Sequence, residues 1–247
     1  MIIKDVYNAL NQIAPFSTAE EWDNCGLLLG NEDDECNKAL VCLDVTNRTI
    51  EKAISMNANL IISHHPVIFD PLKSIDYKSP IATLIKNNIA VISAHTNLDI
   101  ANGGVNDTLC EILNLTPINN TPSLVKICEC DGFENAREFA KFVKEKLPSN
   151  ELLFTNCQKT IKTVAVCGGS GSSFCKEVIE SGADAYLSGE LKHNAVLELF
   201  DNGISAIMGG HFSTEVVVCA PLTKCLSQML PEIEFVNALE TSLTEVL

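Results

Sequence analysis

The chain has 247 residues, of which 46% are hydrophobic and 20% are charged. These proportions are typical of a globular protein with a real hydrophobic core, and they argue against intrinsic disorder. The formal net charge is −15. Because a field of that sign repels phosphate backbones, nucleic acid is not expected to be a partner.

No run of about 18 apolar residues is present, so no membrane span is predicted. The first 16 residues contain Asp5 and other polar breaks where a secretion signal needs an unbroken apolar run. Without such a signal, the 11 cysteines are expected to be reduced thiols rather than a disulfide framework. We therefore expect a cytoplasmic protein.

The predicted elements alternate between helices and short apolar strands. The first element is an amphipathic helix, since Val6, Leu10 and Ile13 recur at helical spacing. Six apolar runs then predict strands at 38–45, 58–65, 90–96, 163–169, 184–190 and 204–211. Helical segments are predicted at 48–58, 80–88, 134–147 and 172–182. This alternation predicts an α/β fold whose sheets are covered on both faces.

A domain boundary is predicted in the polar segment TPINNTPS, which carries two prolines. The prediction is an N-terminal α/β domain over 1–122 and a C-terminal α/β domain over 123–247, with a metal-containing cleft between them. The final segment is expected to pack back on the first domain. A single large sheet is the alternative.

Histidines follow three of the predicted strands. His64 and His65 follow LIIS, His95 follows VISA, and His211 follows AIMGG. Ligands of open α/β sheets bind beyond the carboxyl ends of the strands. A single histidine after a strand is usually a packed or surface residue, but four of the five histidines in the chain occupy such positions. This clustering favours a metal site.

The spacing of nearby carboxylates supports the same interpretation. His211 and Glu215 are four apart in a segment that looks helical, so they share a helix face. His95 and Asp99 are also four apart, but Asn97 and two following glycines predict a loop there. Adjacent histidines at a strand end suit two neighbouring ions rather than one.

The predicted metal ligands are therefore His64, His65, Asp99, His211 and Glu215. Imidazole and carboxylate ligands suit two divalent ions of zinc, iron or manganese, with Asp99 or Glu215 as a bridge. Two ions about 3.5–4 Å apart activate a water molecule as a nucleophile.

The segments HHPVIF, AHTNLD and GGHFSTE, together with WDNCGLLLG near the start, resemble the Nif-three-like family, also named GTP cyclohydrolase 1 type 2 homologs. The resemblance covers essentially the whole chain. It implies two α/β domains and dinuclear metal ligands at the same five positions. It also implies a role for His95 as a base or supporting partner, and a toroidal homohexamer.

The chain departs from this family in one segment, GELKHN, where Asn194 replaces a second histidine that members often carry. His193 remains, and the sequence leaves open whether it faces the site or a helix surface. The glycine-rich turn VCGGSGSSF lacks a Walker lysine and a complete dinucleotide fingerprint. It is either a phosphate or substrate contact or an ordinary strand–helix turn.

The leading functional hypothesis is a metal-dependent hydrolase of a small substrate that could be a nucleotide, with His95 as general acid or base. The alternative is a non-catalytic metal-binding, metal-handling or scaffold protein. A catalytic site leaves a coordination position open for water, whereas a structural site closes it.

Overall fold

The computed structural model describes residues 1–118, 123–148 and 152–244, which form a mixed α/β structure with two sheets. The strands are β1 (Gly26–Leu29), β2 (Lys38–Cys42), β3 (Leu60–Ser63), β4 (Ala90–Ser93), β5 (Thr116–Pro117), β6 (Lys126–Phe133), β7 (Leu153–Phe154), β8 (Ile161–Ser170), β9 (Ala185–Glu190), β10 (Ser205–Met208) and β11 (Glu234–Asn237). The α-helices are α1 (Ile3–Ile13), α2 (Asn47–Ser55), α3 (Pro80–Lys86), α4 (Thr96–Ile100), α5 (Val105–Ile112), α6 (Ala136–Lys146), α7 (Cys175–Ser181), α8 (His193–Asp201), α9 (His211–Glu215) and α10 (Cys219–Met229). Short 3₁₀ helices cover Phe16–Thr18, Ser172–Phe174 and Val216–Val218.

The chain divides into two compact units. The first unit comprises Met1–Gly104 and Val218–Thr241, so it includes α10 and β11. The second comprises Val105–Val217 and the terminal segment from Ser242. The predicted domain boundary after residue 122 falls at 119–122, which lie outside the described residues, and it stays a prediction.

The first unit contains a five-stranded sheet in the order β1-β4-β3-β2-β11. Strand β1 is antiparallel to β4, and the other pairs are parallel. Every residue of β3 and β4 is buried, as expected of parallel strands covered on both faces. Ile61 of β3 and Val91 of β4 belong to a core cluster that also includes Leu40, Ile50 of α2 and Leu84 of α3.

The second unit contains a six-stranded sheet in the order β5-β6-β8-β9-β10-β7. The central strands β8, β9 and β10 are parallel, and the outer pairings are antiparallel. One core cluster packs helices α5 and α6 against this sheet, and Phe139 is fully buried in it. Another packs α7 and α8, with Tyr186 fully buried.

The predicted α/β class and all six predicted strands are confirmed. Strands β3, β4 and β10, which the site histidines follow, each end before the histidine. Along the described ranges, no helix is both long enough and apolar enough to cross a membrane.

The prediction of a loop after His95 is wrong in part, because Thr96–Ile100 forms the short helix α4. The cap that starts this helix comes from a distant residue, since the backbone N–H of Thr96 donates to the Asp23 carboxylate at 3.0 Å. A carboxylate at a helix N-terminus satisfies a free N–H and complements the helix dipole. No local pattern around residue 96 contains this signal.

Candidate metal centre

The register of the first sheet places a carboxylate next to the histidine doublet. Strands β2 and β3 are parallel with Cys42 opposite Ser63. The ladder continues past the strand ends, because the N–H groups of His64 and His65 donate to the carbonyls of Cys42 and Leu43. Two residues beyond the last pair, Asp44 therefore lies beside His65, and its Oδ1 is 2.8 Å from His65 Nδ1.

The same register argument brings Asp23 to His95. Strand β1 runs antiparallel to β4 with Gly26 opposite Ser93, so residues before Gly26 lie beside residues after Ser93. Asp23 Oδ1 is 2.8 Å from His95 Nδ1, and Asp23 Oδ2 accepts from the Thr96 hydroxyl at 2.5 Å. Asp23 thus fixes both the imidazole and the start of α4.

Three imidazoles of the first unit form one cluster. His64, His65 and His95 each offer a ligand nitrogen, and these nitrogens all lie within 4.8 Å of one another. The ring centroid of His64 is 5.1 Å from that of His65 and also 5.1 Å from that of His95. His95 is thus at the cluster itself, which the sequence pattern alone did not establish.

Asp99 approaches this cluster from helix α4. Its Oδ1 is 3.6 Å from His64 Nε2, which is longer than a hydrogen bond. His64 Nδ1 lies 2.9 Å from the Ala94 carbonyl, which can only accept, so Nδ1 carries the proton and Nε2 of the neutral ring carries a lone pair. Two ligands of one tetrahedral ion with bonds of about 2.0–2.1 Å are about 3.4 Å apart. The His64–Asp99 pair therefore fits a shared cation.

The second unit carries His211 and Glu215 on helix α9. His211 Nε2 is 3.0 Å from Glu215 Oε2, and His211 Nδ1 is 3.3 Å from Glu190 Oε1. Strand register explains the second contact: Met208 of β10 pairs with Ser188 of β9, so Glu190 lies beside the residues just after β10. The predicted helical segment at 211–215 is confirmed.

The glycine-rich end of β8 makes room for the Glu215 carboxylate. Gly169 has φ +60°, and a Cβ added there would lie 2.0 Å from Glu215 Oε1. The Gly169 N–H donates to the Thr214 hydroxyl at 3.1 Å, which ties this strand end to α9. Gly169 therefore leaves the space that the side chain of Glu215, a predicted ligand, occupies. This role was not predicted from the sequence.

The four site histidines share one arrangement, in which Nδ1 faces an oxygen. The oxygens belong to Ala94, Asp44, Asp23 and Glu190. Histidines that bind metals characteristically direct their other ring nitrogen at a carboxylate or carbonyl, which fixes the tautomer and raises basicity. His193 differs, since it is an exposed residue at the start of α8.

The sequence analysis missed the three carboxylates at positions 23, 44 and 190. The only signal for Asp23 was its position in WDNCGLLLG, a motif of the family resemblance. Asp44 and Glu190 stand at or just past strand ends, as the histidines do, but many polar residues stand there. Their partners become evident only once the strand register is known.

The Asp23 carboxylate is buried yet held in its charged form. Burial by itself raises the pKa of this carboxyl, but hydrogen bonds from His95, Thr96 and Cys25 outweigh it and hold the pKa well below the ordinary 3.8. Burial, followed by the hydrogen bond to Asp23, raises the pKa of the Cys25 thiol to about 12. At neutral pH, Cys25 is therefore a thiol that donates to Asp23.

Asp23→Asn is expected to lower the free energy of unfolding by about 1.5–3 kcal/mol at pH 7, because buried hydrogen bonds to a charged acceptor are lost. The folded pKa of Asp23 is depressed, so its contribution is fully present above the unfolded pKa near 3.8, declines below that pH, and is lost as the pH falls through the folded pKa. Urea denaturation at pH 7 and at pH 3 measures both effects. The exposed Asp33→Asn is the control, and equal behaviour of the two variants would contradict this role of Asp23.

These features define an α/β protein with histidine–carboxylate groups suited to metal binding, and comparison with known proteins identifies its family. The family model Duf34/NIF3 (NGG1p interacting factor 3) matches residues 1–243. The chain belongs to the Duf34/NIF3 family.

Several curated relatives carry the name GTP cyclohydrolase 1 type 2 homolog. The chain is 37% identical to the Campylobacter jejuni protein over 234 residues, with 93% of each chain covered. It is 30% identical to the Clostridium perfringens protein over 254 residues, with 97% of each covered. Among solved structures, a hypothetical protein of Staphylococcus aureus matches with a TM-score of 0.92 and 29% identity, over 100% of this chain and 99% of that one.

Proposed function

We propose that this protein is a metal-dependent hydrolase in which His64, His65, Asp99, His211 and Glu215 bind two divalent ions of zinc, iron or manganese. The observation that carries the proposal is the shared arrangement of the site histidines. Each directs Nδ1 at an oxygen, so that Nε2 of the neutral ring is the metal-binding nitrogen.

The burial of the carboxylates supports the proposal. Asp99 is 8% exposed and Glu215 is 4% exposed, and removing a carboxylate from water is unfavourable unless hydrogen bonds or a cation compensate its charge. A divalent ion at each carboxylate supplies that compensation. The donor set of imidazole nitrogens and carboxylate oxygens suits first-row transition metals.

Bound ions would supply Lewis-acid chemistry and make a water molecule nucleophilic at neutral pH. The chain's own contribution is proton transfer by His95. Its Nδ1 is held by the charged Asp23 carboxylate, which leaves Nε2 to accept or donate a proton. The His95 side chain is 17% exposed, so a substrate can reach it. Asp23 acts as a positioning residue that fixes the tautomer and the orientation of the ring.

Space for a substrate adjoins His65 in the first unit. A cavity of about 250 Å³ is lined by Asp44, His65, Pro66, Val67, Pro80 and Ile81. Its polar end includes a proposed ligand and that ligand's carboxylate partner, and its other walls are apolar. A small molecule in this cavity would lie next to His65.

The test is a metal-loaded screen against GTP, phosphoesters and amides, with product formation measured for the wild type and for Glu215→Ala. We expect turnover in the wild type and its loss in the variant. His193→Ala, which changes an exposed histidine, is the matched control and should retain activity. Intact metal binding with no turnover of any substrate would favour a metal-handling or scaffold protein instead.

We also propose a cytoplasmic location and a homohexamer. The support is the family relationship, and the described cysteines form no disulfide with one another. Light scattering coupled to size-exclusion chromatography should give six times the mass of one chain. A monomer or dimer would overturn the hexamer without affecting the metal proposal.

A further inference from the structure

Two exposed aromatic side chains stand against the imidazole of His95. Trp22 is 60% exposed and Phe69 is 48% exposed. Their ring centroids are 6.3 and 6.5 Å from that of His95, and both rings meet the imidazole at an interplanar angle of 78°. The centroids of Trp22 and Phe69 are 6.0 Å apart. Together they form an aromatic corner, which we define as Trp22 and Phe69, next to the histidine cluster.

The aromatic corner is exposed but held in place. Just after Trp22, Asp23 binds His95 and Thr96, and the Asn24 side chain donates to the Ile68 carbonyl at 2.6 Å. The backbone on both sides of the corner is therefore fixed by hydrogen bonds that do not involve the rings themselves. Rigid exposed aromatic surface loses little entropy when a ligand covers it, which is the property of a preorganised binding site.

We propose that the aromatic corner stacks a planar heteroaromatic ring of the substrate beside His95, an inference that rests on the proposed hydrolase function and specifies its substrate class. Aromatic side chains bind nucleobase-sized rings through their faces, with little dependence on the pattern of ring substituents. The corner holds the ring, and the adjoining His95 then lies within reach of a bond next to it. Trp22 and Phe69 are thus specificity residues rather than metal ligands.

The experiment compares two probes that differ only by a ring, GMP and ribose 5-phosphate, by calorimetry on zinc-loaded and on EDTA-treated protein. We expect GMP to bind the wild type on the order of tenfold more tightly than ribose 5-phosphate. That ratio should fall to about one in Trp22→Leu and in Phe69→Leu, and Trp22→Phe should retain most of it. Because Trp22 is the only tryptophan, GMP should also quench the intrinsic fluorescence of the wild type.

Tyr77→Leu is the matched control, since Tyr77 is 84% exposed in the same loop as Phe69 and packs with Lys78. It should leave the ring preference unchanged. Equal binding of the two probes, binding of neither, or a ring preference that survives both leucine variants would overturn the inference. A change of oligomeric mass in those variants would also overturn it, because the corner would then be a subunit interface.

This experiment distinguishes failure of the aromatic-corner proposal from failure of the hydrolase proposal. Normal zinc loading without a ring preference would reject the aromatic corner and leave the metal centre standing. A ring preference that is lost in Phe69→Leu, in protein that loads none of zinc, iron and manganese after EDTA treatment, would support the corner and reject the hydrolase.

Discussion

Replacing His64 by alanine is expected to lower zinc affinity by a factor on the order of 100 or more and to reduce the metal content of the purified protein. Removal of an outer partner of a ligand typically weakens binding about 10–100-fold, and loss of a ligand itself should do at least as much. His64 is 2% exposed and its ring orientation is fixed by the Ala94 carbonyl, so this imidazole is preorganised as a ligand.

Elemental analysis and chelator-competition titration measure this effect. Because alanine leaves a buried cavity, His64→Asn serves as a second variant of closer size and polarity, and circular dichroism verifies that each variant folds. His193→Ala is the matched control and should bind zinc as the wild type does. Unchanged zinc content in folded His64→Asn would refute the assignment.

The same measurement tests whether the ligands of the two units share ions. If His64 and Glu215 serve the same pair of ions, their single substitutions should each reduce the metal content, and the double variant should lose less affinity than the sum of the single losses. Strictly additive losses would show two independent sites instead.

Gly169→Ala is expected to weaken zinc binding about 10–100-fold, because the added methyl group takes the space of the Glu215 carboxylate. The residue also has a left-handed φ, which is unfavourable for alanine by roughly 1–2 kcal/mol. Zinc titration and thermal denaturation therefore report two separate effects of one substitution.

The variant Gly182→Ala separates the effect on zinc affinity from the effect of backbone strain. Gly182 has φ +71°, close to that of Gly169, but no atom lies within 4 Å of an added Cβ. It should lower the unfolding free energy by a similar amount through backbone strain, and it should leave zinc affinity unchanged. Equal zinc affinities of the two variants would contradict the packing role of Gly169.

Local patterns predicted the elements of this fold but not all of their ends. The apolar runs at 58–65 and 90–96 correspond to β3 and β4, which are buried throughout. The strands themselves are shorter, since β3 ends at Ser63 and β4 ends at Ser93. Helix α4 was missed because its cap is the distant Asp23, and a window of neighbouring residues contains no trace of it.

The sequence by itself determined the α/β class, the strand-end positions of the histidines and the shared helix face of His211 and Glu215. These features follow from residue type and from spacings of a few residues, which local backbone geometry converts directly into position.

Only the tertiary structure decided the partners of those histidines. Asp23 reaches His95 because β1 is antiparallel to β4 with Gly26 opposite Ser93, and Asp44 reaches His65 because β2 and β3 are in parallel register. Strand order and register arise from packing of the whole sheet, and contacts between residues 21 or 72 positions apart are not encoded in any local period.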